Sequence, residues 1–482
     1  MVLISSRSPP YFAPSSKILI YYYHTNMDSN WFKDHVVFLT GATGNLGGCL
    51  LYKLAIQLPT AKIFVLIRGS VQQAIESWEQ SMSEHVDEII ATGKIKFFLG
   101  DMTQPNLGLT PSNLLRLQNE VTLVINSAGD ISLSRGLAET LLINCTAHLT
   151  LAALADSFTR LTHFLHVSTT FVSSFLPDGT VKEKIYTLIE DPKEELATIL
   201  ATGQSSYTKG FAAPYALAKY LAERLLLEGD HSFPVLIVRP CFILPAIKEP
   251  YPFYGSDGAI PVHSFIQVLF EDSEYGLFKL EQVVPRHVAC NEIPVDLVAR
   301  TCLAHVAKGT KGVAHASSDL YVNRTVDELF SRIRLYAPKG IVEAIKKAGI
   351  DHGDVPAPEL YSMINQFARD WRIECTRSTD LKCVHWGFCF VIMTQIYFSS
   401  IGLRGLLSLS WISWGLLICL TTSFIRVTLS ELLFKLTWPL LLSILLGLTP
   451  NSRTGRLIRS AKNNLGTQQT KKAKDKNAKL LD

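Results

Sequence analysis

The stretch Val36-Val-Phe-Leu-Thr-Gly-Ala-Thr-Gly-Asn-Leu-Gly-Gly48 decides the fold of this chain. It begins as an apolar run typical of a buried strand and ends in glycines that precede a helical pattern. Glycines at 41, 44 and 47 allow a tight turn, close approach of the backbone to a pyrophosphate and close packing of the helix on the strand. The free N–H groups at the start of that helix favour a phosphate. The pattern therefore predicts a dinucleotide-binding turn, with contacts from Thr40, Gly41, Thr43, Gly44, Asn45, Leu46 and Gly47.

Outward from this turn, short apolar runs alternate with helical stretches over residues 35–240. The strand-like runs are Val36–Thr40, Ile63–Ile67, Ile95–Leu99, Val121–Asn126, Phe164–Ser168 and Val235–Val238. The helical stretches include Leu46–Gln57, Ser77–Ile90, Gly136–Ala155 and Pro214–Glu228. Near-continuous apolar strands that alternate with helices indicate βαβ units and a parallel sheet covered on both faces. We predict an α/β fold, a Rossmann-type doubly wound parallel sheet, in one domain over residues 31–310.

The regular alternation ends near residue 241. From 241 to 380 the chain reads as loops that contain Pro and Gly, with isolated helices at Val295–Ala307 and Val326–Tyr336. This composition predicts a smaller α/β substrate lobe contributed by 241–380. A helical C-terminal part, predicted over 311–382, overlaps this lobe.

Residues 383–449 form an apolar block that contains four charged side chains in 67 residues. Within it, Cys383–Leu403 and Gly405–Ile425 each lack Asp, Glu, Lys and Arg over 21 residues, and about 20 such residues can span a bilayer. The basic tail, 450–482, favours a cytosolic position. We predict a hydrophobic helical membrane region with two crossings or a re-entrant hairpin, in the endoplasmic reticulum, with the catalytic part facing the cytosol. The alternative is a buried helical hairpin.

Composition excludes several classes of protein. With 482 residues, 48% of them hydrophobic and 18% charged, the chain is neither disordered throughout nor collagen-like. A net charge of +4 is too small to suggest nucleic-acid binding. The nine cysteines are scattered and show no zinc spacing, so we predict buried thiols and no metal site. Residues 1–30 read as a disordered leader, and Met27 is an alternative start.

The ends of the later strands choose the cofactor. Arg68 stands 21 residues beyond Gly47, where NAD sites usually place an acidic residue, and a guanidinium complements a 2′-phosphate. NADPH is therefore favoured, although an ordinary surface arginine is the alternative reading. Asp101, beside Met102, is placed to accept from the adenine amino group or to cap a helix. Ser127 and Ala128 are small enough to let the backbone approach the cofactor.

The pattern Y-x-x-x-K in Pro214-Tyr-Ala-Leu-Ala-Lys219 places Tyr215 and Lys219 on one helical face. An ammonium near a phenol lowers the phenol pKa, so the pair can protonate a carbonyl oxygen that accepts a hydride. Thr169, at the end of the fifth predicted strand, can donate to the same oxygen, with Ser168 and Thr170 as alternatives. These three elements follow one another in the order that the chemistry requires, which is more specific than any of them alone.

The chain resembles the extended short-chain dehydrogenase/reductase superfamily, and within it the male-sterility type NAD(P)-binding domain of fatty acyl-CoA reductases and thioester reductases. The resemblance rests on Thr40–Gly48, Val65-Leu-Ile-Arg-Gly69, Gly100–Leu109, His166-Val-Ser-Thr169, and Arg239-Pro240 followed by Lys248-Glu-Pro-Tyr-Pro252. It covers residues 35–310 well and 360–410 weakly.

This resemblance implies reduction of an acyl thioester, bound to coenzyme A or a carrier protein, by NADPH. Tyr215 and Thr169 would stabilise the oxyanion, while Lys219 would hold the nicotinamide ribose and tune Tyr215. Loss of thiol gives an aldehyde, and a second reduction would give an alcohol. The alternatives are a membrane-anchored hydroxysteroid or sterol dehydrogenase and a non-catalytic NADP-binding scaffold. Acyl-chain length and oligomeric state are left open.

Overall fold

A computed structural model describes residues 27–132, 135–252, 254–255, 287–320, 325–328 and 369–381. The strands in this part of the chain are β1 (Val36–Thr40), β2 (Lys62–Ile67), β3 (Ile95–Leu99), β4 (Leu123–Asn126), β5 (His163–Val167), β6 (Gly179–Val181), β7 (Val235–Pro240), β8 (Phe242–Leu244), β9 (Glu292–Pro294), β10 (Gly312–Ala316) and β11 (Trp371–Ile373). Seven of them form one parallel sheet in the order β10-β7-β5-β4-β1-β2-β3. The predicted α/β fold with a Rossmann-like parallel sheet is confirmed.

The helices are α1 (Asn45–Tyr52), α2 (Val71–Ala91), α3 (Pro111–Glu120), α4 (Leu137–Leu141), α5 (Ala147–Ala155), α6 (Pro192–Thr202), α7 (Pro214–Glu228), α8 (Val295–Ala307) and α9 (Thr376–Asp380). A π-helical turn, Lys53–Gln57, continues α1, and another, Leu142–Thr146, joins α4 to α5. Short 3-10 helices lie at Ser29–Phe32, Pro105–Gly108, Thr170–Ser173, Thr208–Gly210 and Ser318–Leu320. Helix α2 begins well before the predicted Ser77, because Ser70 and Gln73 form a capping box there.

Apolar side chains from one face of the sheet form a core with three helices. Phe38, Phe98 and Phe164 of the sheet pack in one cluster with Leu117 of α3, and the same cluster includes Leu151 of α5 and Leu226 of α7. Helices α1 and α8 pack against each other, and α8 also contacts β5 and β7. The strands are therefore buried between helices, as their near-continuous apolar sequences predict.

The strand order reverses at β1, which pairs with β2 on one side and β4 on the other. Ligands of doubly wound sheets bind at such a switch point, outside the carboxyl ends of the strands. In the register of the β1–β4 pair, Thr40 lies opposite Asn126. The two loops that follow these strands therefore leave the sheet side by side.

Two small parallel pairs lie beside the main sheet: β6 pairs with β11, and β8 with β9. Strands β8, β9 and β11 lie within the predicted substrate lobe, 241–380, whereas β6 lies outside it. Helix α8 and strand β10, however, belong to the main sheet and its helical layer, although both lie within 241–380. The sheet therefore extends past residue 310, to Ala316.

The predicted membrane region, 383–449, and the basic tail, 450–482, lie outside the described residues, as do most of the leader and most of the predicted helix Val326–Tyr336. The last residues of the predicted leader are not disordered, since Asp28 caps the 3-10 helix that begins at Ser29. Of the helices in the described part, one continuous stretch, Leu137–Ala155, is long and apolar enough to span a membrane. Its Leu141 and Leu151 are fully buried within the protein. The core helix of a soluble protein can have the same length and apolar composition.

Candidate active site

The loop after β1 has the shape that a pyrophosphate requires. Gly41 has a φ of +72°, and a Cβ on it would lie 2.7 Å from the backbone nitrogen of Ala128. A Cβ on Gly47 would lie 2.0 Å from the carbonyl oxygen of Gly41, so this position also excludes a side chain. Helix α1 begins at Asn45, and its N-cap, Gly44, supplies no side-chain acceptor. The first N–H groups of α1 are therefore left for an anion.

The buried amide oxygen of Asn45 has no hydrogen-bond partner among the described residues, and it stands at the first position of α1. Thr43 and Gly44 are exposed beside it, whereas Leu46 is buried. Free N–H groups at the start of α1 and two positions without room for a Cβ fit a dinucleotide phosphate at this loop.

Two predicted cofactor contacts, Thr40 and Ser127, have side chains that join the loops after β1 and β4. The Thr40 hydroxyl donates to the amide oxygen of Asn126 at 2.8 Å, and its oxygen also accepts from the N–H of Ala128 at 3.2 Å. The Ser127 hydroxyl donates to the Thr40 carbonyl at 2.7 Å. The Thr40 side chain is therefore committed to holding the switch point together.

Arg68 and Asp101 lie at the rim of the predicted adenosine site. Arg68 follows β2 and is exposed, and no carboxylate in the described ranges forms an ion pair with it. The Asp101 carboxylate accepts from the N–H and the hydroxyl of Thr103, each at 2.8 Å. These hydrogen bonds, together with the charge of Arg68, hold the pKa of Asp101 below its usual value. The helix-cap alternative for Asp101 is wrong, because the next helix starts at Pro105 and Gln104 occupies its N-cap position. Met102 is buried next to it.

Helix α7 carries both residues of the Y-x-x-x-K pattern and begins with Pro214 at its first position. Tyr215 is half-buried, and Lys219 is 2% exposed. The side-chain nitrogen of Lys219 donates to the Val167 carbonyl at 3.0 Å and lies 3.4 Å from Nε2 of His148. Burial lowers the pKa of Lys219 to about 8.

The expected lowering of the Tyr215 pKa by Lys219 is not found. Burial, and then the carboxylate of Glu223, raise the pKa of the Tyr215 phenol. The physical reason is that the Lys219 ammonium points to a carbonyl and an imidazole, while the phenol is desolvated. Tyr215 is consequently a protonated phenol at neutral pH, which is the form that a proton donor needs.

The three candidate hydroxyls at the end of β5 differ in their partners. The Thr169 oxygen accepts from the N–H of Phe171 at 3.3 Å and caps the short helix that starts at Thr170. Accepting leaves the O–H of Thr169 able to donate. The Ser168 hydroxyl is buried and has no hydrogen-bond partner in the described part of the chain, and Thr170 is 1% exposed. Because side chains alternate along an extended chain, Ser168 and Thr169 point to opposite faces.

Several polar residues that the sequence analysis did not single out are buried at this edge of the sheet. The Asn126 amide nitrogen lies 2.9 Å from Nδ1 of His148 and 3.2 Å from Nδ1 of His166. The fully buried Glu223 carboxylate pairs with Arg239 at the end of β7. The sequence did carry a signal that these residues face the core. Asn126, His166 and Arg239 each lie two residues after a core residue of the same strand, and residues two apart on a strand share a face.

The segment after β8 packs on the helices of the cofactor loop. Glu249 forms an ion pair with the buried Lys53, which follows α1. The Tyr254 hydroxyl donates to the carbonyl of Asn45 at 2.8 Å, and a Cβ on Gly48 would lie 2.3 Å from that hydroxyl oxygen. The last glycine of the opening motif therefore makes room for a tyrosine rather than for a cofactor.

Comparisons with known proteins agree with this geometry. Residues 39–302, more than half of the chain, match the family described as male sterility protein, an NAD-binding domain. Fatty acyl-CoA reductase wat of Drosophila melanogaster is 26% identical over 252 residues, 48% of each chain. Fatty acyl-CoA reductase 1 of Xenopus laevis is 26% identical over 312 residues, 60% of this chain and 57% of its own length.

The chain spans about half the length of the curated relatives it matches. Among solved structures, the terminal R domain of the myxalamid PKS-NRPS biosynthetic pathway superposes with a TM-score of 0.56 at 18% identity, over 77% of this chain and 91% of that one. This likeness shows the fold. The family match establishes that the chain belongs to the male sterility family of NAD-binding domains, the group that includes the fatty acyl-CoA reductases.

Proposed function

We propose that this protein is an NADPH-dependent reductase of acyl thioesters, acting on long-chain fatty acyl-CoA to give the aldehyde and then the alcohol. The observation that carries the proposal is the meeting of three elements at one edge of the sheet. These are the uncapped start of α1, the hydroxyls after β5 and the Tyr215/Lys219 face of α7. The matched relatives that are named fatty acyl-CoA reductases support the choice of an acyl thioester.

NADPH is proposed over NADH because of the rim of the site. Arg68 is exposed and carries no carboxylate partner within the described ranges, so its guanidinium is available for a 2′-phosphate. The loop Gly41–Gly47 and the start of α1 would hold the pyrophosphate, and Asp101, Met102, Ser127 and Ala128 would line the rest of the path. The bound nicotinamide supplies the hydride.

The residues of this chain then have separate tasks. Tyr215, kept protonated by burial, donates to the thioester carbonyl oxygen as charge develops on it. The Thr169 hydroxyl donates to the same oxygen, and Lys219 binds the ribose hydroxyls. Loss of the thiol from the resulting hemithioacetal would leave the aldehyde. A second NADPH would supply the hydride for its reduction, and Tyr215, reprotonated from solvent, would donate the proton to the carbonyl oxygen.

We further propose that the apolar block, 383–449, attaches the protein to the endoplasmic reticulum with its catalytic part in the cytosol. The proposal rests on the two uncharged stretches of 21 residues and on the basic residues that follow them. Recovery of the full-length chain in membranes after alkaline washing is the expected result, and release into the supernatant would contradict it.

The activity test uses the full-length chain in membrane fractions, with NADPH or NADH. Its substrates are acyl-CoAs of graded chain length, the same acyl groups on a carrier protein, and sterones. Products are identified by mass spectrometry, with a hydrazine trap in parallel samples to capture free aldehyde. We expect aldehyde and alcohol from acyl-CoA with NADPH. Sterone reduction without acyl-CoA reduction would instead indicate the dehydrogenase alternative.

The variant Tyr215→Phe tests the proposed proton donor, since it removes only one hydroxyl from a half-buried ring. Loss of a positioned proton donor costs about 10²- to 10⁴-fold in turnover, whereas NADPH binding, followed by cofactor fluorescence, should persist. Near-normal turnover in this variant would refute the assignment of Tyr215.

A further inference from the structure

A buried imidazole that the proposed mechanism does not use lies against the catalytic lysine. His148 stands in the first turn of α5, directly after the π-helical turn Leu142–Thr146. Such turns are frequent at functional sites because they change which residues face a neighbouring element. His148 is 1% exposed, and its Nε2 lies 3.4 Å from the Lys219 nitrogen.

The other ring nitrogen of His148 leads to the cofactor loop. Nδ1 lies 2.9 Å from the amide nitrogen of Asn126, and the amide oxygen of Asn126 accepts from the Thr40 hydroxyl at 2.8 Å. Thr40 is the residue before Gly41, at the turn that the pyrophosphate would approach. Hydrogen bonds thus run without a break from Lys219 to the glycine loop.

Donors and acceptors along this path allow two arrangements. If Lys219 is an ammonium ion, it donates to Nε2, so the proton of the neutral imidazole lies on Nδ1 and needs the amide oxygen of Asn126 as acceptor. If Lys219 is a free amine, it accepts from Nε2–H, and Nδ1 accepts from the amide nitrogen of Asn126. The second arrangement is the one in which Asn126 is oriented here. A hydrogen bond from the protonated lysine to Nε2 therefore requires the amide of Asn126 to turn over.

We propose that His148 is a positioning residue for Lys219: it accepts from the Lys219 ammonium and, through Asn126 and Thr40, links the protonation of that lysine to the cofactor loop. The catalytic consequence rests on the proposed function, since it concerns the residue that would hold the nicotinamide ribose. The linkage itself does not require turnover.

The other titratable groups around Lys219 do not replace His148 in this role. The Glu223 carboxylate, one turn further along α7, is engaged by Arg239, and Tyr215 is held as a neutral phenol. On the facing elements, burial raises the pKa of the Cys145 thiol to about 12 and keeps His166 neutral. The His166 ring lies 4.7 Å from the His148 ring, and its Nδ1 shares the amide nitrogen of Asn126.

The first test needs no ligand. In the full-length chain labelled with ¹⁵N-histidine, the signal of His148 is assigned by its absence in His148→Gln. We expect a neutral ring from pH 6 to 10 whose proton moves from Nδ1 to Nε2 as the pH rises through the pKa of Lys219, about 8. In Lys219→Met the proton should stay on one nitrogen. A proton that stays on one nitrogen in the wild type, or a transition that persists in Lys219→Met, would overturn the proposal.

The second test measures the pH dependence of NADPH binding by cofactor fluorescence. NADPH affinity should fall as Lys219 loses its proton. His148→Leu removes the acceptor of a charge-assisted hydrogen bond from the Lys219 ammonium, so the pH at which NADPH affinity falls should drop by about one to two units. His148→Gln, whose amide oxygen can accept from the ammonium, should stay within about half a unit of the wild type. The matched control is His163→Gln, at the other end of β5. An unchanged profile in His148→Leu would overturn the proposal.

These readouts separate the two proposals. A shifted binding profile without acyl-CoA reduction would reject the proposed substrate and retain the role of His148. Acyl-CoA reduction with unchanged binding profiles in both His148 variants would retain the proposed substrate and reject the role of His148.

Discussion

Two buried lysines in this molecule have opposite electrostatic surroundings. Lys53, behind the cofactor helix, is 5% exposed and pairs with the Glu249 carboxylate. Lys219, on α7, is 2% exposed and contacts a carbonyl and an imidazole. Burial lowers the pKa of both, but the acidic neighbours Cys49 and Glu249 outweigh it for Lys53, whose pKa lies above the ordinary value. The pKa of Lys219 falls to about 8.

The difference teaches that burial alone does not decide what a lysine does. An ammonium with a carboxylate partner stays charged and joins two segments, as Lys53 does for α1 and the segment after β8. An ammonium with only neutral partners is poised to titrate, and strongly perturbed groups of this kind concentrate at functional sites. Exchange or removal of these partners tests the distinction.

The largest expected effect is on turnover. Lys219→Met removes the group that would hold the ribose and should reduce kcat/KM by about 10³-fold or more, in line with the loss of a catalytic side chain. Lys53→Met should leave turnover within a few-fold, provided that it is measured on folded protein. Similar losses in both variants, with both folded by circular dichroism, would remove the functional half of the comparison.

The second effect is on stability and has opposite signs at the two sites. Glu249→Gln leaves the Lys53 ammonium buried without its counter-charge and should lower the free energy of unfolding by about 3 kcal/mol. Adding Lys53→Met to that variant should restore most of the loss. Lys219→Met, in contrast, removes a poorly compensated charge and should raise the free energy of unfolding by about 1 kcal/mol at pH 7. Denaturant titration measures all four proteins.

The smallest effect is a change of stability with pH. Above pH 8 folded Lys219 is mostly an amine, while the unfolded chain keeps its lysine protonated up to the ordinary pKa of 10.5, so the unfolded state binds more protons. The contribution of Lys219 to stability therefore rises with pH in this window, by at most about 1.4 kcal/mol per unit. The advantage of Lys219→Met should shrink between pH 8 and 9.5. A constant difference would mean that Lys219 does not titrate there.

Much of the fold was readable from local sequence. Strand β1 was predicted to the residue, because its apolar run ends at Gly41, whose φ of +72° few other residues adopt. Helix α7 was predicted to the residue because Pro214 starts it and Gly229 follows it. The pairing of β6 with β11 was not readable, since these short strands lie about 190 residues apart and neither carries a pattern of its own.

For the site, residue types and order were readable, but side-chain partners were not. Thr40 was predicted at the cofactor, yet its hydroxyl is committed to Asn126, 86 residues away. The direction of the Tyr215 pKa shift was predicted wrongly, because spacing on a helix places Lys219 near Tyr215 but does not show where its ammonium points. His148 was missed for the same reason: its contacts to Asn126 and Lys219 come from three different elements.

The hydrogen bond from Tyr254 to Asn45 has a consequence for synthesis of the chain. The carbonyl of Asn45 receives the Tyr254 hydroxyl across 209 positions of sequence, and Lys53 receives Glu249 across 196. At about 5–20 residues per second, a ribosome needs roughly 10–40 seconds to travel that distance. During this interval α1, the helix that would bind the phosphates, lacks its hydrogen bond from Tyr254, and Lys53 lacks its carboxylate partner, Glu249. The glycine motif is therefore translated well before the contacts that complete it.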